Sequence, residues 1–361
     1  MPEFRTGVQR QISLGPVLSD SEARINYHVA TIGSVVCEDR GKDEAHELID
    51  NMPIVGNHNV FAPVTDNRRA LIYGLAAVLL WSTSATAFKL ALRELDIFQL
   101  LFYAASCSAF ALLVVVWRQG NLNLLAVTLK TRSAYFLLMA LLSPLAYYLV
   151  LLRAYDLLPA QQAQPINYTW AITLALLAVP LLGQKLTRAD ILAALLGYGG
   201  VLVIATQGRL LEMEFDSLEG VRYALGSTIV WALYWIMNTR NKFDPVVSLC
   251  LNFLIAVPFV FIVCVVFSTP VVSSWGGLSA AVYVGLFEMG ITFALWASAL
   301  KLASGVARVG NLIFLSPLIS MVFIASILNE TIHPATLIGL AMILPGVLIQ
   351  QMQRSPAPVQ E

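Results

Sequence analysis

The chain has 361 residues, of which 58% are hydrophobic and only 12% charged, and its mean hydropathy is +0.74. This composition excludes an ordinary soluble protein and predicts a membrane protein. The 22 basic and 22 acidic residues cancel, so no net field attracts nucleic acid, and the predicted partners are the lipid bilayer and a small molecule.

Residues 1–69 form a polar segment that we expect to be a disordered cytoplasmic tail. They contain ten acidic and seven basic residues and no long apolar run, so they have too little apolar surface to offset the entropy lost on ordering. One hypothesis is that residues 1–51 are an upstream extension, with Met52 as the initiator.

From Ala70 onward the sequence predicts ten transmembrane helices, because ten hydrophobic runs can each cross about 30 Å of hydrocarbon. The predicted spans are Ala70–Leu92, Ile97–Trp117, Ala134–Leu152, Ala160–Leu181, Ile191–Thr206, Val221–Met237, Val246–Phe267, Leu278–Ala299, Gly305–Leu328 and Pro334–Met352.

The loops between these spans predict the orientation. Of the Lys and Arg residues in or near the loops, twelve fall on one side and four on the other, and the richer side is expected to be cytoplasmic. This places both termini, including the short tail 353–361, in the cytoplasm. The expected location is the inner (plasma) membrane of a bacterial-type cell. The acidic linker 207–220 then faces outward.

The two halves of the hydrophobic body predict an inverted repeat. Five spans lie in residues 70–206 and five in 221–352, and Tyr73 and Trp81 recur 150 positions later as Tyr223 and Trp231. An odd number of spans per copy inserts the second copy upside down, as in many transporters. The predicted fold class is therefore an all-α membrane protein of two inverted five-helix repeats around a central cavity. The alternative is an old duplication kept for packing alone.

Glu288 is the candidate coupling residue because it lies near the middle of the eighth span. An ionisable group at that depth is costly and is therefore a functional candidate. The carboxyl could hold a proton and release it when a cationic substrate group or water arrives. The alternative is a protonated glutamic acid that only joins neighbouring helices.

Aromatic and amide side chains at mid-depth predict a substrate site. Rings accept apolar groups and attract ammonium by cation–π interaction, whereas hydroxyls and amides bind carboxylates. The candidate substrate-binding residues are Trp81, Tyr147, Tyr148, Asn167, Tyr168, Trp170, Trp231, Tyr234 and Asn311. The alternative is that these rings only pack helices.

Three further tryptophans and one lysine are interpreted as structural residues at the edges of the membrane. Trp117, Trp235 and Trp296 fit an aromatic belt at the membrane interface. Lys89 lies near the outer end of the first span, from where its long side chain can extend to the headgroups.

Known enzyme and cofactor motifs are missing from the sequence. There is no GxxxxGK[ST] phosphate loop, no HExxH and no GxSxG. The histidines and cysteines form no pair spaced for a metal inside the membrane. We therefore expect no metal, no cofactor and no enzymatic activity, and uphill transport would draw on an ion or substrate gradient, with protons as one candidate partner.

Three motifs of the hydrophobic body are Leu80-Trp81-Ser82-Thr83, Leu157-Leu158-Pro159-Ala160 and Gly197-Tyr198-Gly199-Gly200. On these motifs, the chain resembles the ten-helix EamA-type branch of the drug/metabolite transporter superfamily. Further motifs are Ile166-Asn167-Tyr168-Thr169-Trp170, Gly183-Gln184-Lys185, and Met289-Gly290 ahead of Ala294-Leu295-Trp296. On these, the chain is most similar to the aromatic amino-acid exporter (YddG-like) subgroup of that branch.

The resemblance implies a basket of ten helices around a central cavity and export of amino acids or related compounds. The chain has Gly183-Gln184 where many relatives have Gly-Glu, with Glu330 at the matching place in the second half, and it has Ala171 where the subgroup commonly has proline. The alternatives are export of another small metabolite or drug-like compound and, more distantly, a membrane-embedded enzyme or receptor.

Overall fold

The described residues of this computed structural model are helical and contain no strand. They are residues 66–211, 217–239, 241–272, 274–303 and 309–354, without the side chains of Lys301, Asn311 and residues 350–354. The helices are α1 (Asn67–Leu92), α2 (Ile97–Arg118), α3 (Leu122–Thr131), α4 (Ser133–Leu157), α5 (Ala160–Leu182), α6 (Arg188–Ala205), α7 (Leu218–Asn238), α8 (Pro245–Phe267), α9 (Trp275–Leu300), α10 (Leu315–Ile327) and α11 (Pro334–Arg354).

Seven of these helices, as far as the structure describes them, are long and apolar enough to cross a membrane: α1, α2, α4, α5, α6, α8 and α9. Two apolar stretches are shorter: Leu312–Ile327, which includes α10 and the turn before it, and Pro334–Ile349 in α11. Helix α7 has 21 residues, or about 31 Å at 1.5 Å per residue, but its Tyr, Trp and Ser residues lower its hydropathy. The count of ten spans therefore stays a prediction, and the tail at residues 1–65 lies outside the described residues.

Several helix starts are fixed by capping side chains that the hydropathy pattern does not show. Asp66 accepts a hydrogen bond from the Arg69 N–H (2.9 Å), and α1 begins at Asn67, before the predicted Ala70. Asp96 and Gln99 form a capping box at the start of α2. Such caps satisfy backbone donors that a helix end leaves unpaired.

Two helices depart from regular α geometry near their middle. Helix α4 is kinked within Leu141–Ala146, where Ser143 has an extended backbone (φ −147°, ψ 123°) ahead of Pro144 and just before Tyr147. A π-helical segment, Val284–Gly290, interrupts α9 and contains Glu288. Segments of this kind are frequent at functional sites because they redirect side chains and free backbone groups.

The helices pack in pairs and groups that bring the two halves of the chain together. Helix α6 packs along α11, and α2 along α8. One further group contains α4, α5 and α7, and another contains α1, α9 and α10. The α6–α11 pair is close: a Cβ at Gly200 would stand 2.6 Å from the carbonyl oxygen of Gly339. Small residues permit this approach, as is common between membrane helices.

Candidate functional site

A stack of aromatic rings joins α4 and α7. Tyr147 and Trp231 stack with centroids 4.3 Å apart, and Trp231 stacks on Tyr234 at 5.2 Å with an interplanar angle of 9°. Trp170 of α5 meets the edge of Trp231 at 6.5 Å. The Trp231 side chain is only 8% exposed. The structure thus places four of the predicted site residues in one cluster within the α4–α5–α7 group.

Trp81 belongs to a second set of rings that contacts the first through Phe293. Its ring lies 5.2 Å from Phe293 and 5.4 Å from Trp296, and Phe293 lies 6.4 Å from Trp231. Phe293 therefore connects Trp81 of α1 to Trp231 of α7, the two residues that the repeat pattern pairs.

Two of the three tryptophans assigned to the membrane interface also take part in the ring contacts, and their depth in the bilayer stays a prediction. Trp235 stacks on Trp170 at 6.3 Å, and Trp296 contacts Trp81 inside the ring cluster. Trp117 is 62% exposed on α2, as expected for a residue at the protein surface. Hydropathy gives approximate depth along a helix, but it does not tell which side of the helix faces another helix.

Glu288 lies between the two halves, in contact with α1 and α4. Its Oε2 accepts a hydrogen bond from the Ser84 hydroxyl, and its Oε1 accepts one from the Tyr148 hydroxyl at 3.4 Å. The Trp81 indole N–H donates to the Glu288 backbone carbonyl at 3.3 Å. Hydroxyl donors support a carboxylate in a low-dielectric setting, where an unsatisfied charge is expensive.

Asn167 is held in place within the α4–α5–α7 group. Its Nδ2 donates to the Ser227 hydroxyl at 2.9 Å, and its Oδ1 accepts a hydrogen bond from the Tyr147 hydroxyl at 3.4 Å. These bonds tie the amide to the ring stack, because Tyr147 belongs to both. A fixed amide at the edge of an aromatic cluster can orient a polar ligand group.

Two of the predicted residues, Tyr168 and Asn311, are not placed in the ring cluster. Tyr168 is half-buried on α5. Tyr234, which belongs to the cluster, also accepts a hydrogen bond from Asn252 through its hydroxyl at 3.3 Å. Asn311 begins a short 3₁₀ segment, Asn311–Phe314, before α10, and its side chain lies outside the described ones.

The sequence analysis did not single out four residues that contact the site: Ser84, Ser227, Phe293 and Asn252. Ser84 had a usable signal, since it lies three residues after Trp81 and therefore on the same helix face. The others are ordinary residue types in apolar helices, and their partners lie on other helices, so the local pattern could not distinguish them.

A groove of about 480 Å³ lies elsewhere, between α2, α4 and α7, and is lined by residues that include Asp96, Arg153 and Tyr223. None of the predicted site residues lines this groove. The ring-lined central hollow therefore stays a prediction, and the candidate site is defined by the contacts of the rings, Glu288 and Asn167.

Comparison with family models gives two matches to one family. The model described as the EamA-like transporter family matches residues 68–206 and again residues 218–350. Together these segments cover nearly all of the described helices.

Similar proteins include a transporter from Clostridium kluyveri that is described as uncharacterized. It is 22% identical over 298 residues, which cover 80% of this chain and 95% of that protein. An aromatic amino acid exporter, YddG, from Ancylobacter novellus is 23% identical over 208 residues, or 56% of this chain and 71% of that one. A crystal structure with 20% sequence identity matches 80% of this chain and 98% of its own with a TM-score of 0.57, and it shows a shared fold alone.

Proposed function

The chain belongs to the EamA-like transporter family and is a multi-pass membrane protein, and from that premise we propose that it exports amino acids or related amphiphilic metabolites by alternating access. The observation that carries the proposal is the contact between the ring cluster and the Glu288 carboxyl group: the Tyr148 ring lies 4.9 Å from the ring of Tyr147, and its hydroxyl donates to Oε1 of Glu288 at 3.4 Å. The YddG relative from Ancylobacter novellus supports an amino-acid substrate.

The proposed architecture is ten spans in two inverted repeats, residues 70–206 and 221–352. Two matches of one family model support the duplication. Contacts between helices at corresponding places support it further, because α6 pairs with α11 and α2 with α8. Repeats of opposite orientation can exchange conformations, which opens a shared site to one face and then to the other.

In the proposed binding mode, the rings of Tyr147, Trp231 and Trp81 receive the apolar part and the ammonium group of the substrate. A cation over an aromatic face gains about 0.5–2 kcal/mol. Asn167 binds the carboxylate, and the fixed geometry from Ser227 supports that role.

Glu288 is proposed to exchange between a proton and the substrate ammonium. The Ser84 and Tyr148 hydroxyls that contact it can rotate to donate or accept, so they are compatible with both forms of the carboxyl. The proposed location is the inner membrane of a bacterial-type cell with both termini in the cytoplasm, for which the distribution of Lys and Arg is the support.

The direct test uses the purified full chain in liposomes loaded with a panel of labelled amino acids, at several internal and external pH values. We expect efflux of unmodified label, fastest for aromatic or cationic side chains. A chemically changed label would indicate an enzyme. Binding without movement across the vesicle wall would indicate a receptor, and either result would overturn the proposal.

A second candidate is export of a cationic drug-like amphiphile. The observation that favours it is that the Glu288 carboxyl accepts a hydrogen bond from Tyr148, which contacts Tyr147 of the ring stack. Rings beside one carboxyl group match an apolar cation without requiring a carboxylate partner. Adding such a cation to the same liposome panel separates the two candidates: amino acids should compete with it only if both use the site.

A further inference from the structure

Lys89 holds the turn between α4 and α5 through backbone carbonyl groups at the end of α4. The ammonium of Lys89, on α1, donates to the backbone oxygens of Tyr155 (2.8 Å) and Leu158 (3.1 Å). The expectation that this side chain extends to the headgroups is therefore wrong. A helix C-terminus carries unpaired carbonyls and partial negative charge, so a cation is favoured there.

The other side of the same turn is held by Glu330, in the loop after α10. Its Oε1 accepts a hydrogen bond from the N–H of Ala160 (3.0 Å), and its Oε2 accepts one from the N–H of Gln161 (3.2 Å). These are first-turn donors of α5, where a negative charge is favoured. A cation therefore binds the carbonyl groups that end α4, and an anion binds the N–H groups that begin α5.

The Gln161 side chain extends this contact. Its Nε2 donates to the carbonyl of Thr331 (2.9 Å), and its Oε1 accepts hydrogen bonds from the His333 N–H (2.8 Å) and the Thr336 hydroxyl (3.1 Å). Five hydrogen bonds consequently join the start of α5 to the segment between α10 and α11 and to the first turn of α11.

These contacts cross between the two helix groups. Lys89 belongs to α1 and Glu330 follows α10, in the α1–α9–α10 group, whereas the turn belongs to the α4–α5–α7 group. Alternating access requires that the two groups separate at one face of the membrane. In the proposed orientation this turn lies at the outer face, so its contacts must break for the site to open outward.

Buried polar atoms lie along the helices between this turn and the candidate site. Gln164 follows Gln161 by one turn of α5 and precedes Asn167 by another. Thr86 lies between Ser84 and Lys89 on α1. Gln164 Oε1 and Thr86 Oγ1 are buried without a hydrogen-bond partner among the described residues. Such atoms are costly in an apolar interior, and water entering an opened pathway would satisfy them.

The opposite face lacks the same pair of charges. The offset of 150 that relates Trp81 to Trp231 places Thr239 opposite Lys89, and Gln184 stands at the place that matches Glu330. Neither counterpart is charged. At these two matching positions, therefore, the repeat does not carry the charges found at the outer turn.

We propose that Lys89 and Glu330 form the outer gate of this transporter. They hold the α4–α5 turn in place until the site opens outward and releases its substrate. This inference rests on the proposed alternating access and on the proposed orientation. The gate closes the outward route in the state described by the structure, and its release exposes the Thr86–Gln164 pathway to outside water.

The test measures access to Gln164→Cys in a background in which the native cysteines are replaced by serine. Spheroplasts carrying the full chain are treated with a membrane-impermeant maleimide, and the labelling rate is followed. We expect Lys89→Gln and Glu330→Gln each to raise this rate at least tenfold, because each removes one charge from the turn.

Glu94→Gln is the matched control. Glu94 also accepts a hydrogen bond from the first turn of a helix, the Gly277 N–H of α9 at 2.8 Å, but it follows α1, which packs in the same group as α9. Its replacement should leave the rate within twofold of the parent. Equal rates in Lys89→Gln, Glu330→Gln and Glu94→Gln would overturn the gate.

A second measurement covers the case in which a gate variant fails to fold. In a protein with Gln161→Cys and Thr331→Cys, a short bis-methanethiosulfonate cross-linker should join the two thiols through disulfide bonds and stop transport, and reduction of those bonds should restore it. Full transport in the cross-linked protein would overturn the gate. Labelling of Gln164→Cys is measured without any substrate. A negative result for amino acids in the liposome assay is therefore distinguishable from a failure of the gate.

Discussion

The ring of Tyr147 in α4 stacks on the ring of Trp231 in α7, with centroids 4.3 Å apart and planes inclined by 24°. Two helices from different halves of the chain therefore supply one aromatic surface. Tyr147 also donates a hydrogen bond to Asn167, so the same ring connects the apolar and polar parts of the candidate site.

Replacing Trp231 by Phe should weaken substrate binding while keeping a ring in the cluster. An aromatic pair contributes about 0.5–1.5 kcal/mol, so we expect KM for an aromatic substrate to rise about two- to twelvefold with little change in kcat. The measurement is the concentration dependence of efflux from liposomes. Trp117→Phe, at an exposed position on α2, is the control, and equal KM values in both variants would count against the stack as a binding surface.

Replacing Glu288 by Gln keeps the shape of the side chain and removes its charge. A hydrogen bond to a charged group is worth about 1.5–3 kcal/mol, so we expect an ammonium-bearing substrate to bind about 12- to 160-fold more weakly. The pH dependence of transport should also flatten. Efflux that matches the parent at every pH would exclude a coupling role.

The control for that variant is Glu219→Gln. Glu219 is an exposed acid in the first turn of α7, paired with Arg153 at 3.5 Å, and exposed pairs contribute little. Substrate affinity and the pH profile should stay as in the parent. The comparison separates loss of this particular carboxylate from loss of any acidic residue.

Replacing Asn167 by Ala should weaken binding only for substrates that carry a carboxylate. A neutral hydrogen bond contributes about 0.5–1.5 kcal/mol, which corresponds to a two- to twelvefold rise in KM for an amino acid. The matching amine, which lacks the carboxylate, should be unaffected. Ser227→Ala should produce a smaller loss, because it removes a bond that positions Asn167 without removing the amide. Equal losses for the acid and the amine would contradict the assigned role.

Replacing Gly200 by Ala should destabilise the α6–α11 pair. The added Cβ would stand 2.6 Å from a backbone oxygen and 2.9 Å from Ile343, and overpacking of this kind costs about 1–3 kcal/mol. Gly226→Ala is the matched control, because its Cβ would meet Val150 at an ordinary 3.5 Å. Thermal unfolding in detergent should show a lower Tm for Gly200→Ala only. A Tm that falls equally in both would show that loss of glycine, rather than the close approach, is responsible.

Sequence by itself determined that this chain is helical and membrane-embedded, and it identified Trp81, Trp231 and Glu288 as candidate site residues, whose depth in the bilayer stays a prediction. Those features depend on local properties, since helix length, hydropathy and charge position are all read along one segment. The pairing of Trp81 with Trp231 through a 150-residue offset also depended on sequence alone.

Only the tertiary structure decided which side chains meet. Lys89 binds backbone oxygens of α4 rather than headgroups, and Ser84 reaches Glu288 from 204 positions away. Trp235 belongs to the ring cluster although its position along α7 indicated an interface. The physical reason is that an apolar helix can present any of its faces to lipid or to protein. The choice depends on how helices distant in sequence cross, and neither hydropathy nor local spacing records that crossing.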